Sequence, residues 1–171
     1  DLETASIAIK AAQTGHLVFS TLHTNDAPSS IERLLNMGVE PYLICSSLNL
    51  VIAQRLVRKI CPHCREAYEP DAALTDPFHR VLPDAGDTVF YHGAGCSECS
   101  QSGHKGRMAI YELFPVTRSV RDALLKGEIG SGIREQAISD GMRTLMQNGM
   151  EKVRQGVTTL DEVLAVATEA V

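Results

Sequence analysis

Two Cys-x-x-Cys pairs constrain the folding of this 171-residue chain more than any other feature of its sequence. The pairs are Cys61 with Cys64 and Cys96 with Cys99, and 31 residues separate them. A Cys-x-x-Cys turn brings two thiolates close enough to bind one metal ion, and two such turns complete the tetrahedral shell that Zn²⁺ prefers. The spacing therefore predicts a closed zinc site with a structural role.

Two alternative interpretations are histidine ligands for the metal and a redox role for the cysteines. His63 and His104 are alternative ligands, although four cysteines already close the site, which favours surface positions for both histidines. Cys61-Pro62-His63-Cys64 also resembles a thiol redox motif, but the matching second pair favours metal binding. The fifth cysteine, Cys45, lies in an apolar run and is predicted to be a buried, inert thiol.

The 39 residues from Cys61 to Cys99 form an excursion that the metal is expected to order. The segment contains four prolines, leans acidic between Asp71 and Asp87, and shows no core of its own in its pattern. Structural zinc sites have apparent binding free energies of order 10 kcal/mol, which is enough to order such a segment.

Composition excludes several classes of function. Hydrophobic residues make up 44% and charged residues 22% of the chain, as in globular proteins. The net charge of −5, without a lysine-arginine block, argues against a nucleic-acid surface. No apolar run approaches the roughly 20 residues that cross a bilayer, so no transmembrane segment is predicted.

Hydrophobic periodicity predicts an α/β protein. A helix from Asp1 to Gly15 precedes a continuous apolar run, Leu17–Leu22, which is typical of a strand buried on both faces. Further strands are predicted at Val51–Ile60 and Arg107–Phe114. Helices are predicted before and after these strands, and the last begins at Thr159 with Glu162 in the capping-box position.

A polar cluster follows the predicted buried strand, where ligands of parallel sheets bind. It contains Ser20, Thr21, His23, Thr24 and Asn25. In this position a histidine can donate to a terminal phosphate or orient a water. The structural alternative is that Thr24 or Asn25 caps the next helix and the histidine packs at the end of the sheet.

Several motifs in the same order resemble one protein family. The stretch from Asp1 through Ala27 is similar to the end of the Walker B region and the histidine box of the type II secretion and type IV pilus assembly ATPases, the secretion-system protein E family. The resemblance covers essentially the whole chain. Its further motifs are Glu32–Pro41, Ala53–Arg58, both cysteine pairs, Gly106–Arg107, Ile110–Leu113 and Thr159–Val163.

This resemblance implies an architecture. The fold class is α/β, the C-terminal portion of a RecA-like P-loop ATPase domain with a tetracysteine zinc-binding excursion and a C-terminal helical subdomain. Residues 1–60 would form part of the ATPase core, 61–99 the excursion, 100–115 a returning core strand and 116–171 the helical subdomain.

The resemblance also implies a function and its residues. The parent protein would be a cytoplasmic homo-hexamer that uses ATP and Mg²⁺ to move pilin-like subunits through an inner-membrane platform, bound to that membrane only through partners. His23 matches the histidine that faces the γ-phosphate. Arg33 and Arg107 match arginines implicated in the response to nucleotide.

Two expected parts of such an ATPase do not occur in the sequence. There is no Gly-x-x-x-x-Gly-Lys-[Ser/Thr] loop, and Asp1 would follow directly after the Walker B glutamate. The chain is therefore predicted to be a C-terminal fragment that does not hydrolyse ATP alone. The alternative function is an autonomous zinc-ribbon module whose α/β body presents the metal-bound finger to a partner protein.

Overall fold

The computed structural model describes residues 1–167, and the last four residues of the predicted helical part, 168–171, lie outside them. The described elements follow the chain in this order: α1 (Leu2–Gln13), α2 (Ser29–Asn36), α3 (Pro41–Ser47), β1 (Leu50–Ile60), β2 (Arg65–Tyr68), α4 (Ala72–Val81), β3 (Phe90–Gly93), β4 (His104–Pro115), α5 (Arg118–Leu125), α6 (Ser131–Ser139), α7 (Leu145–Arg154) and α8 (Leu160–Val166).

These elements divide into two units. Unit 1 contains residues 1–53 and 112–143, and unit 2 contains residues 54–111 and the chain from Thr144 onward. Strand β1 pairs with β4, and β2 pairs with β3. The predicted strands at Val51–Ile60 and Arg107–Phe114 are thus confirmed, and they begin one and three residues before their predicted starts.

Unit 1 is built from helices around an apolar core. The predicted first helix is confirmed: the side chain of Asp1 accepts a hydrogen bond from the backbone N–H of Thr4 at 2.8 Å, and Gly15 follows the helix with a φ of +94°. Helix α3 packs against α1 and α5, and α5 packs against α6. Fully or almost fully buried side chains fill the centre: Ile31, Ile44, Phe114, Val120, Leu124 and Ile133.

The predicted buried strand at Leu17–Leu22 is wrong for the described residues. The segment has no regular secondary structure, and the side chains of Leu17 and Phe19 are 81% and 87% exposed. A strand buried on both faces needs paired neighbours and covering helices. None of the strands within residues 1–167 pairs with this segment, so its apolar side chains face solvent.

Unit 2 holds the excursion between the cysteine pairs, and this excursion has a core. Strands β2 and β3 are antiparallel, with Arg65 opposite Gly93 and Tyr68 opposite Phe90. Phe78 of α4 is fully buried and meets Phe90 edge to face, with 5.0 Å between the ring centroids. The expectation of a segment without its own core is therefore wrong, because aromatic residues far apart in sequence meet only in the fold.

Helices α7 and α8 support the excursion. Helix α4 packs on both, and β3 packs on α7. The guanidinium of Arg65 lies 3.7 Å from the centre of the Tyr91 ring and fills the space beside Gly156, in the turn that joins α7 to α8. The excursion is thus packed against the C-terminal helices as well as closed by its cysteines.

Glu162 bonds to a strand instead of completing a capping box. The Thr159 hydroxyl accepts from the backbone N–H of Glu162, as predicted, at 3.4 Å. The Glu162 carboxylate accepts from the backbone N–H and the Nε of Arg58, each at 2.9 Å. The guanidinium offers stronger, charge-assisted bonds than a backbone N–H, which explains why the predicted box does not form.

We expect Glu162→Gln to destabilise the protein at neutral pH by about 1–2 kcal/mol, because hydrogen bonds to a charged group are lost. Hydrogen bonds from Arg58 lower the pKa of Glu162 in the folded protein. The pair therefore stabilises the fold above the unfolded carboxyl's pKa of about 4.3, and this contribution disappears as the pH falls through the lower, folded value.

Urea unfolding between pH 7 and pH 3 measures this effect. The curves of wild type and Glu162→Gln should converge at the acidic end. Asp122→Asn is the matched control, because Asp122 belongs to an exposed ion pair with Arg118 at 3.9 Å and should cost almost nothing. A constant difference between wild type and Glu162→Gln at every pH would contradict the assigned role.

Candidate functional site

The four paired cysteines meet at one point of unit 2. Their Sγ atoms all lie within 4.8 Å of one another, with 3.9 Å between Cys61 and Cys96 and 3.8 Å between Cys64 and Cys99. A tetrahedral ion with sulfur ligands at about 2.3 Å requires sulfur atoms about 3.8 Å apart. The arrangement can hold one metal ion and fits the geometry of zinc.

Backbone contacts bring the two cysteine turns together. The Cys61 N–H donates to the carbonyl of Gly103 at 2.9 Å, and the Ala94 N–H donates to the carbonyl of Cys64 at 2.9 Å. Each bond joins the turn of one pair to the chain beside the other. The first pair lies between β1 and β2, and the second pair lies between β3 and β4.

Cys64 and Cys99 differ in how readily their thiols ionise. Burial raises the pKa of Cys64 to about 12, and hydrogen bonds with the other thiols add to the effect. Burial acts in the same direction on Cys99, but hydrogen bonds from the backbone N–H groups of Cys96 and Gly103 and from neighbouring thiols lower its pKa to about 6. Cys99 thus ionises readily, whereas Cys64 keeps its proton. A bound dication would supply the positive charge that favours ionisation of both thiols.

The alternative ligands do not join the cluster. Within residues 1–167, the group of side chains able to hold a metal consists of the four cysteines alone. His63 is exposed, while Nδ1 of His104 lies 3.1 Å from the carbonyl of Ser102. All five cysteines are free thiols in the structure, so neither Cys-x-x-Cys pair is joined as a disulfide.

Cys45 does not belong to this cluster and lies in helix α3 of unit 1. Its thiol, which was predicted to be buried, is half-buried and donates to the carbonyl of Arg121 at 3.7 Å. Burial raises the pKa of Cys45, which keeps the thiol protonated and poorly reactive at neutral pH.

A second candidate site is the histidine turn, which we define as residues 23–27 before helix α2. The imidazole of His23 is exposed. The residues that follow it are held by hydrogen bonds. The Thr24 hydroxyl donates to the carbonyl of Asp26 at 3.0 Å, and Asp26 Oδ1 accepts from the backbone N–H of Ser29 at 2.8 Å. Asp26 therefore caps the start of α2, a role that the structural alternative assigned to Thr24 or Asn25.

Two side chains from distant parts of unit 1 also contact this turn. Oε1 of Glu112, from β4, accepts from the backbone N–H of Ala27 at 2.8 Å, and Arg134, from α6, pairs with Asp26 Oδ2 at 2.8 Å. Sequence reasoning missed both residues as site residues. They lie 85 and 108 positions from their partners, and no local pattern links them to the turn.

The two candidate arginines are exposed. Arg33 lies on α2 in unit 1, and Arg107 lies on β4 in unit 2. In the part of the chain that the structure describes, neither guanidinium forms an ion pair. Both guanidinium groups are thus accessible to an anion in solution.

Comparison with known proteins identifies the family. The model of the family described as "Type II/IV secretion system protein" matches residues 1–165. This chain belongs to that secretion system family. The type IV pilus assembly ATPase PilB of Myxococcus xanthus is 46% identical over 96% of this chain and 29% of its own length. The type II secretion system ATPase E of Vibrio cholerae is 44% identical over 99% of this chain and 33% of its own.

A solved structure shows the family fold. The crystal structure of the pilus retraction motor PilT with bound ADP aligns with a TM-score of 0.64 and 23% identity, covering 99% of this chain and 37% of that one. The predicted fold class, an α/β portion of an ATPase domain with a tetracysteine excursion, is confirmed. The secretion-family chain spans about a third or less of the length of its curated relatives.

One further sequence prediction concerns membranes. Among the described residues of this secretion-family chain, no helix combines the length and the apolar character needed to cross a bilayer.

Proposed function

We propose that this chain is part of a cytoplasmic, hexameric motor ATPase in which ATP hydrolysis drives pilin-like subunits through an inner-membrane platform. The observation that carries the proposal is identity of 41–46% over nearly the whole chain with relatives described as type IV pilus assembly ATPases or as type II secretion ATPases and proteins. Because the chain spans only part of those relatives, ATP binding would require residues outside it.

In this proposal the histidine turn acts on the nucleotide. His23 would donate a hydrogen bond to the γ-phosphate or orient the attacking water, and its exposed imidazole is free to do so. Arg33 and Arg107 would respond to nucleotide because their positively charged guanidinium groups stabilise phosphate oxygens. Mg²⁺ would neutralise phosphate charge when it is bound with ATP.

The cysteine cluster would hold a structural zinc ion. Four thiolates leave no coordination position for water or substrate, so the ion would stabilise the excursion without taking part in hydrolysis. Residues 61–99 would then be a rigid attachment, while 1–60 and 100–115 would belong to the motor core and 116–171 to its helical part.

Steady-state ATP hydrolysis tests the proposal. We expect the complete polypeptide encoded by the reading frame of this chain to hydrolyse ATP, and we expect His23→Ala to lower kcat about 100-fold, since proton transfer or water positioning is lost. The 171-residue chain alone should show no turnover.

His79→Ala is the matched control, because it removes an exposed histidine from α4 without touching the histidine turn. It should retain wild-type kcat. Wild-type turnover in His23→Ala would refute the catalytic role of that residue, and a complete polypeptide without ATPase activity would refute the proposed function itself.

A further inference from the structure

The histidine turn is held by its own Asp26 and by charged side chains from other parts of unit 1. Helix α2 begins after Pro28, which offers no side-chain cap, so its first N–H groups need other acceptors. Asp26 supplies one acceptor through Oδ1, and Glu112 accepts from Ala27 immediately before the helix. The conformation of the chain just after His23 therefore depends on these two carboxyl groups.

Asp26 has a second role through its other oxygen. Oδ2 pairs with Arg134 at 2.8 Å, and the side chains of Asp26 and Arg134 are only 13% and 21% exposed. Partial burial makes such a pair stronger and more directional than a surface ion pair. Arg134 thus links helix α6 to the turn that carries His23.

Glu112 contacts the turn from strand β4, whereas Arg134 contacts it from helix α6. The residue is 1% exposed and lies on β4, whose neighbours Ile110 and Phe114 belong to the buried core. Its hydrogen bond to Ala27, itself fully buried, joins the turn to a strand rather than to another loop. The turn is therefore tied both to a strand and to a helix.

We propose that Arg134 and Glu112 are positioning residues for ATP hydrolysis, acting through Asp26 and Ala27 on the backbone that carries His23. This inference rests on the proposed function. An exposed imidazole contributes to catalysis only when its backbone holds it within a few tenths of an ångström of the productive place, and the two contacts supply that constraint.

Kinetics of the complete polypeptide test the role of Arg134. We expect Arg134→Ala and Asp26→Asn each to lower kcat at least about tenfold, with less than about a twofold change in KM for ATP. Asp26→Asn keeps an Oδ1 acceptor for Ser29 and loses only the ion pair. The double variant should be no slower than either single variant, because both remove the same contact.

Two further variants separate positioning from general damage. Arg134→Lys keeps a single cationic donor and should recover most of the lost kcat, since only one guanidinium nitrogen contacts Asp26. Arg118→Ala removes an exposed arginine from α5 in the same unit and should leave kcat unchanged. For Glu112, Glu112→Gln retains an oxygen acceptor for Ala27 and should be milder than Glu112→Ala.

Hydrogen exchange in the 171-residue chain provides a readout that does not depend on activity. Arg134→Ala should speed amide exchange in residues 24–29 at least about tenfold, with little change in α1 or α3. Arg134→Ala could speed amide exchange in this chain while the complete wild-type polypeptide has no ATPase activity. That result would refute the proposed function but would still support the contact between Arg134 and the histidine turn.

Three outcomes would overturn the inference. The first is that Arg134→Ala has the same kcat as Arg118→Ala while His23→Ala is inactive. The second is that the reductions in kcat caused by Arg134→Ala and Asp26→Asn multiply in the double variant. Loss of folding by both Arg134→Ala and Asp26→Asn would likewise overturn it, because the contact would then serve the fold and not turnover.

Discussion

A Cys96→Ser, Cys99→Ser variant is expected to lose its metal and to unfold around the two cysteine turns. Structural zinc sites contribute apparent binding free energies of order 10 kcal/mol, which is comparable with the whole stability of a domain. Amide exchange should accelerate most in residues 61–64 and 94–103. Helix α4 should keep part of its protection, because Phe78 remains packed against Phe90 and the helix packs on α7 and α8.

Elemental analysis and thiol alkylation check this expectation. The wild type should carry one zinc ion per chain, which protects four thiols from alkylation, and the double variant should carry none. Cys45→Ser is the matched control, since its thiol lies in unit 1 and should not affect zinc content. Unchanged exchange in residues 61–64 after verified metal removal would contradict a structural role for the ion.

Gly93→Ala is expected to open the same site without touching a ligand. A Cβ at Gly93 would lie 2.0 Å from the carbonyl oxygen of Gly103, and that oxygen accepts from the Cys61 N–H. The obstacle is backbone, so a shift of the chain is required, and we expect a loss of about 3 kcal/mol or more. Zinc affinity should fall at least about tenfold, because the two turns separate.

Competition with a chromophoric chelator measures the affinity, and urea unfolding measures the stability. Gly127→Ala is the control: its φ of +90° makes alanine costly there, but no atom lies within 4 Å of the new Cβ. It should lower stability by about 1 kcal/mol with zinc affinity intact. Equal effects of the two variants on zinc affinity would argue against the contact between Gly93 and Gly103.

The predictions from sequence succeeded where the deciding information was local. The first helix follows from Asp1 and its apolar spacing, and the cysteine cluster follows from two short motifs with a strong chemical preference for one ion. The secretion family follows from ordered motifs along the chain. In each case neighbouring residues carry the constraint, so no knowledge of distant contacts is needed.

Most of the failures involve distant partners. Leu17–Leu22 has the pattern of a buried strand, but a strand exists only where another strand pairs with it. Glu162 has the spacing of a capping box, and Arg58, 104 positions away, binds it instead. Hydrophobic periodicity likewise does not predict the contact of Phe78 with Phe90 within the excursion.

The sequence by itself determined the family, the α/β class and the four cysteines that can hold a metal, because these depend on residue type and short spacing. Only the tertiary structure decided what holds the histidine turn. Glu112 and Arg134 reach Ala27 and Asp26 across 85 and 108 positions, and such contacts arise from how a strand and a helix pack. Local sequence preferences carry no information at that range, since packing alone brings those side chains together.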